Sequence, residues 1–300
     1  MANPFSKRRR TTDPRRDGRP GASRVPAATS PLPPRGVFAL TGASGGVGTT
    51  TAACALASDI ARRVQDTQPG VSPLIAEPRV CLLDLDFEAG ACAHHLDRLP
   101  ALTAEDLLRP SQQMDPTLLS AMTDQHVGGV AVIGAPNGSA ARPDPRTVLA
   151  MVDAATQLFD FVVLDVPRRL EGWTPAVLAG ADCAVVLAEP TVPSLHLARV
   201  RRLALASMMQ SAGRALHPVV AKLERRGGRG MLGLKDVETA LHAPPFATLP
   251  VDPEPLRVCI NNGEPLATTF ADSRYMRAVR QLSDRMLAQC EPAAVQAEAA

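Results

Sequence analysis

The residues best suited to chemistry form one run, Thr41-Gly42-Ala43-Ser44-Gly45-Gly46-Val47-Gly48-Thr49-Thr50-Thr51. Glycines at this density let the backbone curl, so that successive N–H groups and the positive end of a following helix face an anion. A hydroxyl at Thr50 is placed to help hold Mg²⁺. The usual phosphate-loop pattern G-x-x-x-x-G-K-[ST] fails at two points, Ala43 for the first glycine and Thr49 for the lysine. The cradle is kept and its fixed cation is lost.

Acids follow in order. Cys81-Leu82-Leu83-Asp84-Leu85-Asp86-Phe87 ends an apolar run in two carboxylates. Alternation along a strand would put Asp84 and Asp86 on one face. One could then orient a water while the other supports Mg²⁺ through its water shell. Taken alone, the pair reads first as two solvated acids at a strand end, and the glycine loop beside it reverses that order. Asp165 closes a second apolar run from Phe161 and is expected beside Mg²⁺, as Walker-B carboxylates are. Arg168, or Arg225 with Arg226, could supply replacement charge; solvated or ion-paired surface arginines are the alternative.

These groups need elements to position them. Residues 36–40 are apolar, and residues 51–63 carry Leu56 and Ile60 at helical spacing, which gives the loop a strand before it and a helix after it. Runs at 80–85, 127–133, 161–166 and 183–187 predict strands buried on both faces, hence a mostly parallel sheet covered by helices. Residues 192–210, with Leu195, Val200, Leu203 and Met208, predict a helix; further elements are expected at 218–223, 234–242 and 246–249. Segments 67–78 and 134–145 read as surface loops. The expected fold is a doubly wound α/β domain over residues 35–290, with ligands at the carboxyl ends of the strands. Residues 1–34 read as a disordered basic tail and 291–300 as a flexible tail.

A chain of 300 residues with 45% hydrophobic content can build a sizeable core, and with only 3% aromatics that core must be filled by Ala, Val and Leu. Charge is uneven. Residues 1–35 hold nine Lys/Arg against Asp13 and Asp17, a balance of +7, so a formal total of +2 leaves the rest at −5. The six cysteines form no C-x-x-C pair, which favours buried free thiols in a reducing cytosol over zinc or disulfides. No apolar run is long enough for a membrane span. Polar and Pro-rich residues follow the early arginines, so no export signal is expected. The histidines lack ligand spacing, and no Ser/His/Asp arrangement is legible.

Taken together, the residues resemble the MinD/ParA superfamily of deviant-Walker P-loop ATPases. Within it they resemble the CpaE/TadZ group linked to Flp pilus assembly, which includes septum-site-determining-like proteins. The resemblance rests on Ser44 to Thr51, on Asp84-Leu85-Asp86-Phe87-Glu88-Ala89-Gly90 and on Asp165-Val166-Pro167-Arg168. It extends through Glu189-Pro190-Thr191-Val192-Pro193-Ser194-Leu195, Arg225-Arg226-Gly227-Gly228 and Leu249-Pro250-Val251-Asp252. It implies ATP and Mg²⁺ as ligands, with the amides of Gly45, Gly46, Val47, Gly48 and Thr49 on the phosphates. It further implies Thr50 near the metal, Thr51 near the α-phosphate, Asp86 positioning water, Asp84 beside it and Asp165 in the metal's outer shell. Pro250 to Asp252 would border the base. Two lysines of the family are absent: Ser44 stands where one would reach across a dimer, and Thr49 replaces that of the loop. Ala221-Lys222 stands where an Asn-Arg pair would meet the base.

A charged hydrogen bond contributes about 1.5 to 3 kcal/mol, so loss of the loop lysine weakens nucleotide binding without abolishing it. A cation supplied in trans to the transferring phosphoryl is worth about 10³ to 10⁵ in rate, so hydrolysis is expected to be slow or negligible. The first reading is therefore a cytoplasmic localisation factor, polar, septal or peripheral to the membrane. In it, nucleotide promotes a homodimer that positions pilus, secretion or division proteins. The rivals are an active ATPase using substitute arginines or a partner's cation, and a nucleotide-free platform binding DNA or membrane. The tail around Lys7 to Arg10 could touch nucleic acid or anionic lipid, or stay solvated. Tyr275, Val279, Leu282 and Met286 predict an amphipathic last helix, expected to dock on its own sheet, with membrane insertion as the alternative.

Overall fold

The structure, a computed structural model, describes residues 32–33, 35–67, 78–123, 126–136, 138, 141–224 and 232–290. Nearly all of the basic tail, the 291–300 segment, most of the 67–78 insertion, and Arg225 with Arg226 lie outside these.

In chain order the first elements are β1 (Gly36–Gly42), α1 (Thr49–Asp66), β2 (Val80–Asp84), α2 (Cys92–His95), α3 (Ala104–Leu107), α4 (Pro116–Ala121), β3 (His126–Val127), β4 (Val130–Ile133) and α5 (Pro145–Leu158). Then follow β5 (Phe161–Val166), α6 (Thr174–Gly180), β6 (Cys183–Ala188), α7 (Val192–Ser211), β7 (Leu216–Leu223) and α8 (Leu234–Leu241). The chain closes with β8 (Ala247–Pro250), α9 (Pro253–Asn262), α10 (Leu266–Thr269) and α11 (Arg274–Leu287).

One sheet runs β3-β4-β2-β5-β1-β6-β7-β8, parallel from β4 to β8, with β3 antiparallel at the edge. This is the doubly wound, mostly parallel α/β arrangement expected from the apolar runs. The run at 127–133 is not one strand, because Gly128 and Gly129, with φ of 58° and 83°, turn the chain into a hairpin. From β1 the chain moves one way to β2 and later the other way to β6. The reversal opens a crevice at the carboxyl end of β1.

Strands with both faces buried divide two apolar layers. Phe38, Leu40, Leu82, Val132, Phe161 and Val163 face α1 and α11, while Ala39, Leu83, Ile133, Val162 and Leu164 face α5 and α7. Ala52, Ala53, Ala55 and Ala57 give α1 a thin wall against the sheet, which suits a core poor in aromatics. Trp173 is an anchor there, its ring 6.0 Å from that of Phe87.

Two helices test the periodicity argument differently. In α11 the expected face is the buried one: Tyr275, Val279, Leu282 and Met286 pack into the core, so that apolar face is used by the fold itself. In α7 it is not. Leu195 is buried, but Val200, Leu203 and Met208 are exposed, and Ala198, Leu205 and Met209 occupy the core instead. That buried set also falls at helical spacing, and α7 turns Ser194 and Arg201 towards the glycine loop, as described below. Among the described residues no helix is long and apolar enough to cross a membrane.

Candidate functional site

The run from Thr41 to Thr51 leaves the carboxyl end of β1 and enters α1, a helix of 18 residues. Gly46 and Gly48 take φ of 70° and 94°, left-handed values that side chains rarely accept, and the space where a Cβ would stand is open at both. The first N–H groups of α1 have no partner within the helix and add their dipole at the same place.

Thr50 and Asp165, both expected near Mg²⁺, are brought together by the fold. Thr50 Oγ1 donates to Asp165 Oδ2 at 2.6 Å. Asp165 lies near the end of β5 beside Asp84 at the end of β2, the two being direct partners in the parallel register. Burial raises both carboxyls. Asp84 rises from 3.8 to about 6, chiefly through burial, against the hydrogen bonds of the Cys92 and Asp86 amides. Asp165 is pushed well up by burial and then by the charge of Asp84.

Asp84 and Asp86 do not share a strand face. β2 ends at Asp84, and the chain then turns, with the Asp86 amide donating to Asp84 Oδ1 at 3.0 Å. The Cys92 amide donates to Asp84 Oδ2, also at 3.0 Å. Asp84 thus ties down the turn that carries Asp86, whose own Oδ1 accepts from the Ala89 amide at 3.0 Å. Asp86 is half-buried and borders an open cleft of about 390 Å³ lined also by Glu88, Arg168, Arg169 and Trp173.

Sequence reasoning missed Cys92. Its thiol donates to Asp165 Oδ2 at 3.4 Å, and one ligand atom from each of Asp84, Cys92 and Asp165 falls within 4.8 Å of the others. Burial holds this thiol well above its usual range in the absence of a metal. Closeness to Cys92 brings neighbouring Cys54 down to about 7, against burial and with help from His95. All six cysteines are free and buried.

The two positions without lysine have turned inward. Ser44 Oγ shares a 3.0 Å hydrogen bond with Ser194 Oγ at the start of α7, and Ser194 Oγ also accepts from the Glu189 amide at 3.0 Å. Thr49 Oγ1 stands 2.7 Å from where a Cβ on Gly42 would be, so its hydroxyl faces the base of the loop. Val47 is buried, as a hydrophobic peg under the loop.

Cations approach from elsewhere. Arg168 Nε lies 3.8 Å from the Cβ position of Gly45. Arg201 was not foreseen. Its Nη1 donates to Thr41 Oγ1 at 3.0 Å and to the Gly42 carbonyl, and its Nη2 donates to the Arg168 carbonyl. Burial, and then the charge of Arg168, lower its pKa. Ser194 and Arg201 are seven residues apart, two turns of α7, so one helix face holds both the loop and the turn after β5. That spacing is the only signal in the sequence that could have found them.

The expected base-side residues are placed less directly. Pro250 ends β8 at the edge of the sheet. Asp252 is occupied by α11, its Oδ2 accepting from the Tyr275 amide at 3.1 Å and its Oδ1 lying 3.7 Å from Arg274 Nη2. Lys222, near the end of β7, donates from Nζ to the Gly46 carbonyl at 2.7 Å and to Glu189 Oε1 at 2.5 Å.

No family model matches the sequence, and no curated protein does. Solved structures do match. A ParA family ATPase from Chlorobium tepidum TLS superposes with a TM-score of 0.69 at 16% identity, over 83% of this chain and 97% of that one. The MinC:MinD cell division protein complex of Aquifex aeolicus gives 0.64 at 20% identity, over 86% and 97%. The septum site-determining protein MinD complexed with Mg-ADP from Pyrococcus horikoshii OT3 gives 0.60 at 16% identity, over 83% and 94%. The chain therefore has the fold of the MinD/ParA P-loop ATPases.

Proposed function

We propose that this protein is a MinD/ParA-like localisation factor that binds ATP with Mg²⁺, dimerises when loaded and hydrolyses slowly. One observation carries the reading: an open glycine loop at a helix start whose Thr50 is bonded to a buried strand-end carboxylate, while both usual lysine positions have turned inward. The residues fit the ligand. Amides from Gly45 to Thr51 would hold the phosphates, and Thr50 with Asp165 and Asp84 would hold Mg²⁺ largely through water. The metal supplies charge neutralisation between the phosphates when bound. Two buried carboxyls side by side disfavour joint ionisation, and a divalent cation relieves that cost. Asp86, at the edge of the cleft, would orient the attacking water.

Ser44, bonded within its own subunit to α7, has no reach towards a partner's phosphates. Slow turnover follows, so function comes from what the bound state stabilises. A ligand that contacts two subunits favours the dimer by mass action. The relatives by fold include proteins of cell division and of the ParA family, and a role in placing Flp pilus, secretion or septum machinery in the manner of CpaE/TadZ belongs to this proposal. The basic tail would add weak contact with DNA or anionic membrane.

The test is sedimentation with ATP, with ADP and without nucleotide, each with Mg²⁺. A dimer promoted by ATP alone supports the switch; a mass independent of nucleotide sinks it. Arg168 beside Gly45 favours a second reading, a working ATPase with an arginine in place of the lysine. Phosphate release that is sustained over many turnovers and falls in Arg168→Ala would select it.

A further inference from the structure

Parallel strands β7 and β8 pair in step at Val219 with Ala247 and Val220 with Thr248, yet the next pair is Leu223 with Pro250. Two residues on β7, Ala221 and Lys222, thus stand against one on β8, Leu249, a bulge, and Lys222 inside it takes φ of 55°. A bulge re-aims a side chain that regular alternation would send elsewhere. A left-handed value at a long-chain residue is a conformational cost that the surroundings must hold in place.

What the bulge achieves is visible in the contacts. Lys222 Nζ reaches the Gly46 carbonyl and Glu189 Oε1, from a side chain that is 50% exposed. Glu189 follows β6, and its amide donates to Ser194 Oγ, which is bonded in turn to Ser44 Oγ. Gly46, Lys222, Glu189, Ser194 and Ser44 therefore close a polar ring around the glycine loop. The ring holds an ammonium at the loop in a chain whose loop positions 44 and 49 carry only hydroxyls.

We propose that Lys222 is the phosphate-binding cation of this site, delivered in cis from β7 to the glycine loop, with Glu189 as its resting counter-ion. The inference rests on the nucleotide-binding reading and moves Lys222 from the base to the phosphates. A triphosphate with more negative charge than one carboxylate draws the ammonium from Glu189, and the half-exposed side chain has the freedom to turn. The same exchange keeps the apo loop from carrying an unpaired ammonium.

Competition by inorganic tripolyphosphate, which has phosphates and no base, separates the two roles. Displacement of a fluorescent ATP analogue by tripolyphosphate with Mg²⁺ is measured on the full chain, on Lys222→Met and on Glu189→Gln, with circular dichroism as the folding control. The expected result is about a tenfold or greater loss of tripolyphosphate affinity in Lys222→Met, and a gain in Glu189→Gln, where the ammonium is freed. Unchanged tripolyphosphate affinity in Lys222→Met, in a chain that still takes up the analogue, overturns the inference and leaves ATP binding standing. No saturable uptake of the analogue by the unaltered chain overturns both. If Lys222→Met fails to fold, Glu189→Gln decides alone: equal or weaker tripolyphosphate affinity counts against the proposal.

Discussion

Thr50 and Asp165, 115 residues apart, meet through a 2.6 Å hydrogen bond that joins the start of α1 to the end of β5. The bond places a hydroxyl and a buried carboxyl at the point where the glycine loop enters α1, and the proposed magnesium site is built on that pair.

Thr50→Val removes the hydroxyl at nearly constant volume. We expect nucleotide affinity measured with Mg²⁺ to fall to the level measured with EDTA, and stability to change by about 1 kcal/mol. Calorimetric titration with and without the metal checks it. A retained magnesium dependence would mean that Thr50 serves the fold alone.

Arg168 stands beside Gly45, its Nε 3.8 Å from the Cβ position there. Its carbonyl, not its side chain, is held by Arg201, so Arg168→Ala leaves that contact in place. Nucleotide affinity is expected to fall about tenfold, the scale of one charged hydrogen bond. Unchanged binding in the calorimeter removes Arg168 from the site.

Asp84 sets a pH dependence in the nucleotide-free protein. Its folded value, about 6, lies above the usual 3.8, so its contribution to stability is fully present below about 3.8 and is lost as pH rises through about 6. The displacement corresponds to on the order of 3 kcal/mol. Asp84→Asn lacks this titration. The stability of the wild type relative to the variant should therefore decline from pH 4 to pH 7, as read from urea midpoints at each pH. A flat difference would show that Asp84 is not raised.

Asp59 is buried in α1 with Arg63 Nε at 2.8 Å and Arg280 Nε at 3.7 Å, and Arg63 Nη1 continues to Asp284 at 2.6 Å. This network ties α1, the helix behind the loop, to α11. Asp59→Ala leaves the partly buried guanidinium of Arg63 without its carboxylate and should cost about 3 kcal/mol, by thermal or urea denaturation. A loss below about 1 kcal/mol would show that Asp284 alone satisfies Arg63.

Much of the site was legible because its main parts are local in the chain. A strand, a run of glycines and a helix are adjacent in sequence, so the curl from Thr41 to Thr51 and the amides it presents follow from residue types and order. The apolar runs ending in Asp84 and Asp165 could be assigned to parallel strands for the same reason: burial on both faces leaves no alternation to hide them. The periodicity of α11 survived because its apolar face was long enough to specify docking by itself.

What the tertiary structure alone decided is the supply of positive charge. Arg168, Arg201 and Lys222 reach the loop from the turn after β5, from α7 and from β7; the arrival of Arg201 depends on the rotation of its helix and that of Lys222 on a one-residue bulge, neither of which a local pattern encodes. The exposed Val200 and Leu203 show the same thing from the other side, since α7 carries more apolar residues than one face can hold and packing buries Ala198, Leu205 and Met209 instead. Backbone shape is determined by neighbours along the chain, whereas long cationic side chains find their partners through space. The sequence by itself determined the cradle; only the packed fold determined which charges stand at it.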